Sequence, residues 1–224
     1  AVGDVHGRLD LLDALMKRLD EEGAREQGAR LIFLGDYVDR GPSIREVVER
    51  LTALKTERPQ SIFLLGNHEQ VLAEFLAAPE RRADWLDWGG EETAASYGVA
   101  HPERRTPREL AEELAQLMPP THRAFLTDLA PSASLGDYFF AHAGVRPGVP
   151  LDQQSVDDLL WIREAFHDAR PDQRPDKVVV HGHHPVRKPL DLGWRIAIDT
   201  GAVYGGKLTA VVLDGSTRRF VSVE

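Results

Sequence analysis

The sequence predicts an α/β (α+β) fold in which two packed sheets are flanked by helices. In the first 70 residues a buried strand, a polar loop and a helix follow one another three times, the alternation that builds helix-covered sheets. From Ser132 onward, short apolar strands dominate instead. No repeat or low-complexity linker interrupts the 224 residues, a length suited to one well-cored domain.

Residues 1–3 read as the end of a strand feeding the turn GDVHG, and residues are expected upstream because such a strand would begin earlier. Leu12, Leu15, Met16 and Leu19 recur at helical spacing. Residues 31–34 (LIFL) form a buried strand that ends in the loop GDYVDRGP. Ser43 and Glu46 then have capping-box spacing ahead of a helix with Ile44, Val47, Val48, Leu51 and Leu54 on one face. Residues 62–65 (IFLL) form the next strand, ending in GNHE.

A mainly helical cap is expected at about 70–131 within the single domain 1–224. Thr106-Pro107-Arg108-Glu109 starts one of its helices, and Trp85 and Trp88 read as packing inside it, with a substrate-facing role as the alternative. Strands follow at 132–135 and 138–141, joined by Gly136-Asp137. A helix over 156–166 and strands at 177–180, 194–198, 208–213 and 219–223 complete the chain.

A net charge of −9 argues against nonspecific nucleic-acid binding, which needs a cationic surface. It leaves room for an anionic substrate, because bound cations can dominate a local field. The absence of cysteine excludes disulfide scaffolding, thiolate metal sites and cysteine-nucleophile chemistry. No apolar run reaches the length of a membrane span and no signal peptide is evident, so a cytoplasmic location and no membrane partner are expected. An Arg- and Ala-rich, compact chain suggests a bacterial source.

The chemistry sits in the loops after strands. Candidate metal ligands are Asp4 and His6 in GDVHG, Asp36 in GDYVDRG, Asn67 in GNHE, His142 in AHAG and His183 in HGHH. Each follows an expected strand, and glycine flanks most of them, which allows sharp turns and close approach. A carboxylate such as Asp36 can bridge two cations. Asp4 and Asp36 would offset only half the charge of two divalent ions, leaving a field that holds hydroxide and a phosphoryl oxygen. Nitrogen and oxygen ligands suit Mn, with Fe or Zn as alternatives.

The ordered set GDVHG, GDYVDRGP, GNHE, AHAG and GHHP, spanning residues 1 to about 206, resembles the phosphoprotein phosphatase branch of the calcineurin-like metallophosphoesterases. The resemblance implies a four-layer α/β/β/α sandwich with two divalent metals at the mouth between the sheets. It implies that Asp4, His6 and Asp36 hold the first metal, and that Asp36, Asn67, His142 and His183 hold the second. His68 becomes the general acid with Asp39 orienting it, Arg40 and Arg163 bind phosphate, and Tyr204 lines the mouth. An imidazole beside a carboxylate suits proton delivery near neutrality, and arginine's fork suits phosphate. The implied reaction is direct hydrolysis by a hydroxide held between the metals.

Where relatives often have Thr after the last ligand histidine, this chain has His184, and Pro185 replaces a further ligand found in many related enzymes. His181 reads as structural and Glu69 as support for its loop. His101, His122 and His167 read as isolated surface residues. Gly201–Lys207 nearly matches a phosphate-binding P-loop, but Leu208 and a following strand argue against one. The leading expectation is a phosphomonoesterase acting on phosphorylated Ser, Thr or Tyr side chains. The alternative is a dinucleoside polyphosphate hydrolase of the diadenosine tetraphosphatase kind. Asp39 and Glu69 tilt the reading to the former, because an alkoxide leaving group needs a good acid. Specificity is expected from the cap, and oligomeric state is open.

Overall fold

The computed structural model describes residues 1–23 and 28–224. Helix α1 (Leu9–Glu21) buries Leu12, Leu15, Met16 and Leu19 as their spacing predicts. It leads to β1 (Ile32–Phe33), α2 (Ile44–Glu57) and β2 (Ile62–Phe63). β1 and β2 pair in parallel, Ile32 opposite Ile62. Val2 bridges Phe33 on one side and Ala210 on the other. That single residue ties the first units to the C-terminal hairpin of β8 (Leu208–Asp214) and β9 (Thr217–Val223).

The second sheet has the order β3-β4-β5-β7-β6, from β3 (Ser132–Leu135), β4 (Tyr138–Ala141), β5 (Val178–His181), β6 (Leu190–Asp191) and β7 (Arg195–Ala197). β4, β5 and β7 run parallel, flanked by antiparallel edges. Ile32, Leu34, Leu64 and Val211 of the first sheet pack on Tyr138, Phe140, Val180 and Ile196 of the second. On the outer face of the second sheet, Phe139, Ala141 and Val179 meet Leu159, Ile162 and Phe166 from the helical stretch that follows β4. On the first sheet's other side, Phe33 and Ala210 join the apolar faces of α1 and α2. Alternate faces of each strand thus feed different cores, and the result is helix, sheet, sheet, helix.

Between β2 and β3 the chain is helical: α3 (Asn67–Ala77), α4 (Gly90–Ser96), α5 (Pro107–Leu117) and α6 (Pro120–Thr127). Thr106 and Glu109 cap α5 reciprocally, as their spacing predicts. Ser43 does not cap α2, since its side chain makes no capping hydrogen bond. The helix expected over 156–166 is broken. α7 (Val156–Trp161) ends, Ile162 is extended, and α8 (Glu164–His167) restarts after Arg163. A continuous helix would not seat Ile162 and Phe166 in the outer core while Arg163 reaches His183. His122 is wholly buried rather than on the surface: its Nε2 meets Glu49 at 2.7 Å and its Nδ1 meets the Tyr97 hydroxyl at 3.0 Å. His167 is half-buried against Phe166, His181 and His184, while His101 is exposed. No helix among the described residues is long and apolar enough to cross a membrane.

Candidate functional site

The loops after β1, β2, β4 and β5, together with GDVHG, converge at one end of the two sheets. Their backbone is unusual. Among the described non-glycine residues with positive φ, His6, Asp36, Asp39, Arg40 and His183 all belong to these loops, and only His101 lies elsewhere. Such conformations cost about 1–3 kcal/mol each and persist where surrounding contacts over-determine them.

Glu69 supplies much of that determination for Asp36. Its buried carboxylate accepts from the backbone N–H groups of Asp36 at 2.9 Å, Tyr37 at 2.7 Å and Val38 at 3.0 Å. It also accepts from Gly66 N at 3.0 Å, which caps α3. Gly66 is obligatory here, since a Cβ would stand 2.3 Å from Asp36 Oδ1. Likewise a Cβ on Gly182 would stand 2.0 Å from Asp4 Oδ1.

The histidine orientations follow from carbonyl partners. His6 Nδ1 donates to Val38 O at 2.7 Å and His142 Nδ1 donates to Leu34 O at 2.8 Å. In both rings Nε2 then carries the lone pair that faces the site, and in His6 it accepts from Arg40. His142 Nε2 lies 2.9 Å from Asn67 Oδ1 and 3.4 Å from Asp36 Oδ1. His183 Nδ1 is 3.0 Å from the same Asn67 oxygen. One donor atom from each of Asp36, His142 and His183 lies within 4.8 Å of the others, and the same holds for His6, Asp36 and His68. Asp4 belongs to neither group but stands beside His183. Its Oδ2 accepts from His183 N at 2.9 Å, while its Oδ1 is buried with no hydrogen-bond partner.

The electrostatics match this donor set to cations. Burial pushes the Asp4 carboxyl well above its ordinary range, reinforced by the charges of Asp199 and Asp36. Burial also opposes ionisation of Asp36, but His142, His68 and His6 overcome it and hold that carboxyl well below the usual range. Burial drives the His183 pKa down to about 2 and lowers that of His142, so both rings are neutral and their lone pairs available. An orphaned carboxylate oxygen beside neutral imidazoles and an amide oxygen fits divalent cations of the Mn, Fe or Zn type.

Around this cluster sit the other expected residues. His68 Nδ1 and Asp39 Oδ2 are 2.6 Å apart, both fully buried. Asp39 also accepts from Trp85 Nε1 at 3.0 Å and from Thr93 Oγ1 at 2.5 Å, so two residues of the helical stretch between β2 and β3 fix the carboxylate beside the imidazole. Arg40 Nη1 donates to His6 Nε2 at 2.7 Å, and Arg163 Nε donates to His183 Nε2 at 3.2 Å. Tyr204 is 65% exposed, with the Arg40 guanidinium 5.6 Å from its ring centre. A pocket of about 90 Å³ is lined by Asp4, His6, Arg40, Arg163, His183 and Tyr204, and by Pro185 and Asp199. His181 is buried and accepts from Arg195 Nη1, away from this cluster.

Sequence reasoning missed Asp199, which is nearly buried and whose Oδ1 accepts from Gly201 N at 2.9 Å. It also missed Thr93, and it weighed Trp85 for packing or for facing substrate, not for holding Asp39. The signal available for Asp199 was its position just after an apolar strand and two residues before Gly201, as the candidate ligand His142 stands two residues before Gly144.

A family description, calcineurin-like phosphoesterase, matches residues 1–212. The chain belongs to that family. This phosphoesterase is therefore a hydrolase of phosphoesters, in a family that uses divalent metal ions. It is 30% identical to bis(5'-nucleosyl)-tetraphosphatase PrpE [asymmetrical] of Bacillus subtilis, over 93% of this chain and 87% of that one. It is 31% identical to serine/threonine-protein phosphatase 1 of Salmonella typhimurium, over 93% and 88%. Among solved structures, one named as a candidate diadenosine tetraphosphatase superposes with a TM-score of 0.68 at 25% identity, covering 99% of this chain and 91% of that one. A cold-active protein-tyrosine phosphatase of Shewanella shares the fold, with a TM-score of 0.58 at 16% identity over 100% and 79%.

Proposed function

We propose that this phosphoesterase hydrolyses dinucleoside polyphosphates, cleaving the phosphate chain off-centre. The observation that carries the reading is near-full-length similarity to several curated asymmetrical bis(5'-nucleosyl)-tetraphosphatases, including those of Bacillus subtilis and Halalkalibacterium halodurans, each at 30% identity. The phosphoprotein phosphatase reading, placed first on sequence motifs, becomes the second. Two features still favour it: the retained Asp39–His68 pair at 2.6 Å and the Salmonella relative.

The space around the site suits an extended substrate. The small pocket holding Arg163 and Tyr204 shares Arg40 and Val203 with a neighbouring groove of about 670 Å³, lined by Arg8 and Ser43 and also by Asp13 and by Asp10, which pairs with Arg8 at 2.7 Å. A phosphate chain longer than one unit has somewhere to continue.

In this reading Asp4, His6 and Asp36 would hold one cation, and Asp36, Asn67, His142 and His183 would hold the other. When bound, the cations supply Lewis acidity and lower the pKa of water. Arg40 and Arg163 orient the reacting phosphoryl group and offset its developing charge. Water attacks phosphorus, the bond to the leaving oxygen breaks, and His68 delivers the proton that this oxygen needs. Asp39, held by Trp85 and Thr93, keeps the imidazole aimed.

The test is hydrolysis of diadenosine tetraphosphate and of a phosphoserine peptide by purified protein, with Mn²⁺ and with chelator. ATP plus AMP from the dinucleotide, lost on chelation, is the expected result. Peptide turnover faster by orders of magnitude would overturn it in favour of the second reading.

A further inference from the structure

We propose that Trp88 and Trp161 form a stacking subsite for a nucleobase of the substrate, an assignment that rests on the dinucleotide reading above. The chain places three tryptophans close to the catalytic loops, and they differ in kind. Trp85 is wholly buried and gives its indole N–H to Asp39, a structural task. Trp88 and Trp161 are only half-buried. Their rings stand 5.5 Å apart at 67°. Trp88 lies 6.0 Å from the ring of His68, and Trp161 lies 6.4 Å from the ring of His183. The pair therefore spans from the residue assigned as proton donor to a residue assigned as ligand of the second metal.

Each tryptophan is tied to one of the arginines assigned to phosphate. Trp88 is followed by Gly89, whose carbonyl accepts from Arg40 N, and a Cβ on Gly89 would meet that nitrogen at 2.4 Å. The backbone beyond Trp88 is thus pressed against the Arg40 loop. Trp161 ends α7, two residues before Arg163, and the break at Ile162 fixes where both side chains go. Trp161 is also held from the other side, its indole N–H donating to Gln70 Oε1 at 2.8 Å. Gln70 lies on α3, which begins with Asn67 and His68. Two aromatic rings are thus held beside His68 and His183, and because the Arg82 guanidinium lies 5.9 Å from the Trp88 ring centre on one face, a flat base would stack on the opposite face or on Trp161.

A base offers a π-face that stacks on indole whatever its identity, and such stacking changes affinity by about 5- to 150-fold per base. A bare phosphate chain presents nothing to stack. The pair should therefore separate nucleotide from base-free substrates, and should act on binding more than on the chemical step.

The experiment compares kcat and KM for diadenosine tetraphosphate and for inorganic tetraphosphate in wild type, Trp88→Leu, Trp161→Leu and Trp88→Phe, all loaded with Mn²⁺. The expected result is a fall of tenfold or more in the ratio of kcat/KM values, dinucleotide over tetraphosphate, in both leucine variants. The fall should arise mainly from KM, with Trp88→Phe recovering most of the ratio. In addition, AMP should shift the tryptophan emission of the wild-type protein and ribose 5-phosphate should not, a readout that depends on no variant. An unchanged ratio with equal emission responses to the two ligands overturns the subsite while leaving dinucleotide hydrolysis standing. A wild-type protein that does not cleave the dinucleotide overturns both readings.

Discussion

Arg40 Nη1 donates to His6 Nε2 at 2.7 Å, so a side chain assigned to phosphate rests on the nitrogen assigned to metal. A cation on that nitrogen needs the same lone pair, and binding it releases the guanidinium toward substrate. Arg40→Gln removes a competitor and a positive charge from the metal site. It should tighten Mn²⁺ binding about three- to tenfold, the value of one hydrogen bond of ~1 kcal/mol. The same variant should lower kcat/KM by roughly 100-fold through lost phosphoryl contacts. Calorimetric titration with Mn²⁺ and steady-state kinetics read the two effects separately, and weaker metal binding in the variant would contradict the competition.

The His68–Asp39 contact makes a prediction about leaving groups. An alkoxide needs a proton far more than a nucleotide phosphate does, so removing the acid should cost more on the poorer leaving group. His68→Asn should lower kcat on a phosphoserine peptide by about 1,000-fold or more, and on diadenosine tetraphosphate by only about tenfold. Asp39→Asn should follow the same order with smaller losses, because Trp85 and Thr93 still hold the side chain. Equal losses on both substrates would remove proton delivery from the role of His68.

Much of the site was legible because it is local. Asp36 and Asn67 each stand just beyond a short apolar run beside a glycine, and the geometry brings them within reach of His142 and His183. What escaped was set by distant contacts. The apolar spacing across Ile162 and Phe166 is helical in sequence, yet the chain breaks there, with Ile162 extended and Arg163 Nε reaching His183 Nε2 at 3.2 Å across 20 residues. His122 gives no local sign of burial, and its partners Tyr97 and Glu49 are 25 and 73 residues away. Ser43 has the right spacing to cap α2, but the arriving backbone leaves its hydroxyl out of the cap. The four-residue apolar runs pair over only two residues each in β1 and β2, although Leu31 O and Leu64 N extend the hydrogen bonding between them, to Ile62 N at 2.8 Å and Phe33 O at 2.9 Å.

Asp199 is a buried carboxylate in the same pocket as Asp4 and His6. Burial, together with the charge of Asp36, raises its pKa, and its own charge raises that of Asp4. A carboxyl whose folded pKa is raised destabilises the metal-free fold as pH climbs past its unfolded value near 4. Asp199→Asn relieves that repulsion, so the chelator-treated variant should melt a few degrees above wild type at pH 7, about 1 kcal/mol of stabilisation. Removing the same charge should weaken Mn²⁺ retention about tenfold, measured by metal content after dialysis against graded chelator. A lower melting temperature together with unchanged metal content would show that Asp199 serves only its loop hydrogen bond to Gly201.

His167 supplies a pH test outside the metal loops. Burial, aided by the positive charge of Arg195 and by His184, drives its pKa down to about 4, and its Nε2 is buried without a partner. In the unfolded chain the same ring titrates near 6.5. Below that pH the unfolded state binds a proton that the folded state refuses, so this residue takes stability away as pH falls from 6.5 toward 4. Below 4 both states are protonated and the loss levels off. At pH 7.5 the ring is neutral in both states and contributes no slope. His167→Phe removes the titration and fills the half-buried position against Phe166 and His184. The difference in melting temperature between variant and wild type should therefore be flat above pH 7 and widen in the variant's favour between pH 6.5 and 4. Taking the difference cancels the histidines proposed as metal ligands, which are the same in both proteins. A difference that stays constant across that window would mean that His167 takes up its proton in the folded protein as readily as in the unfolded chain.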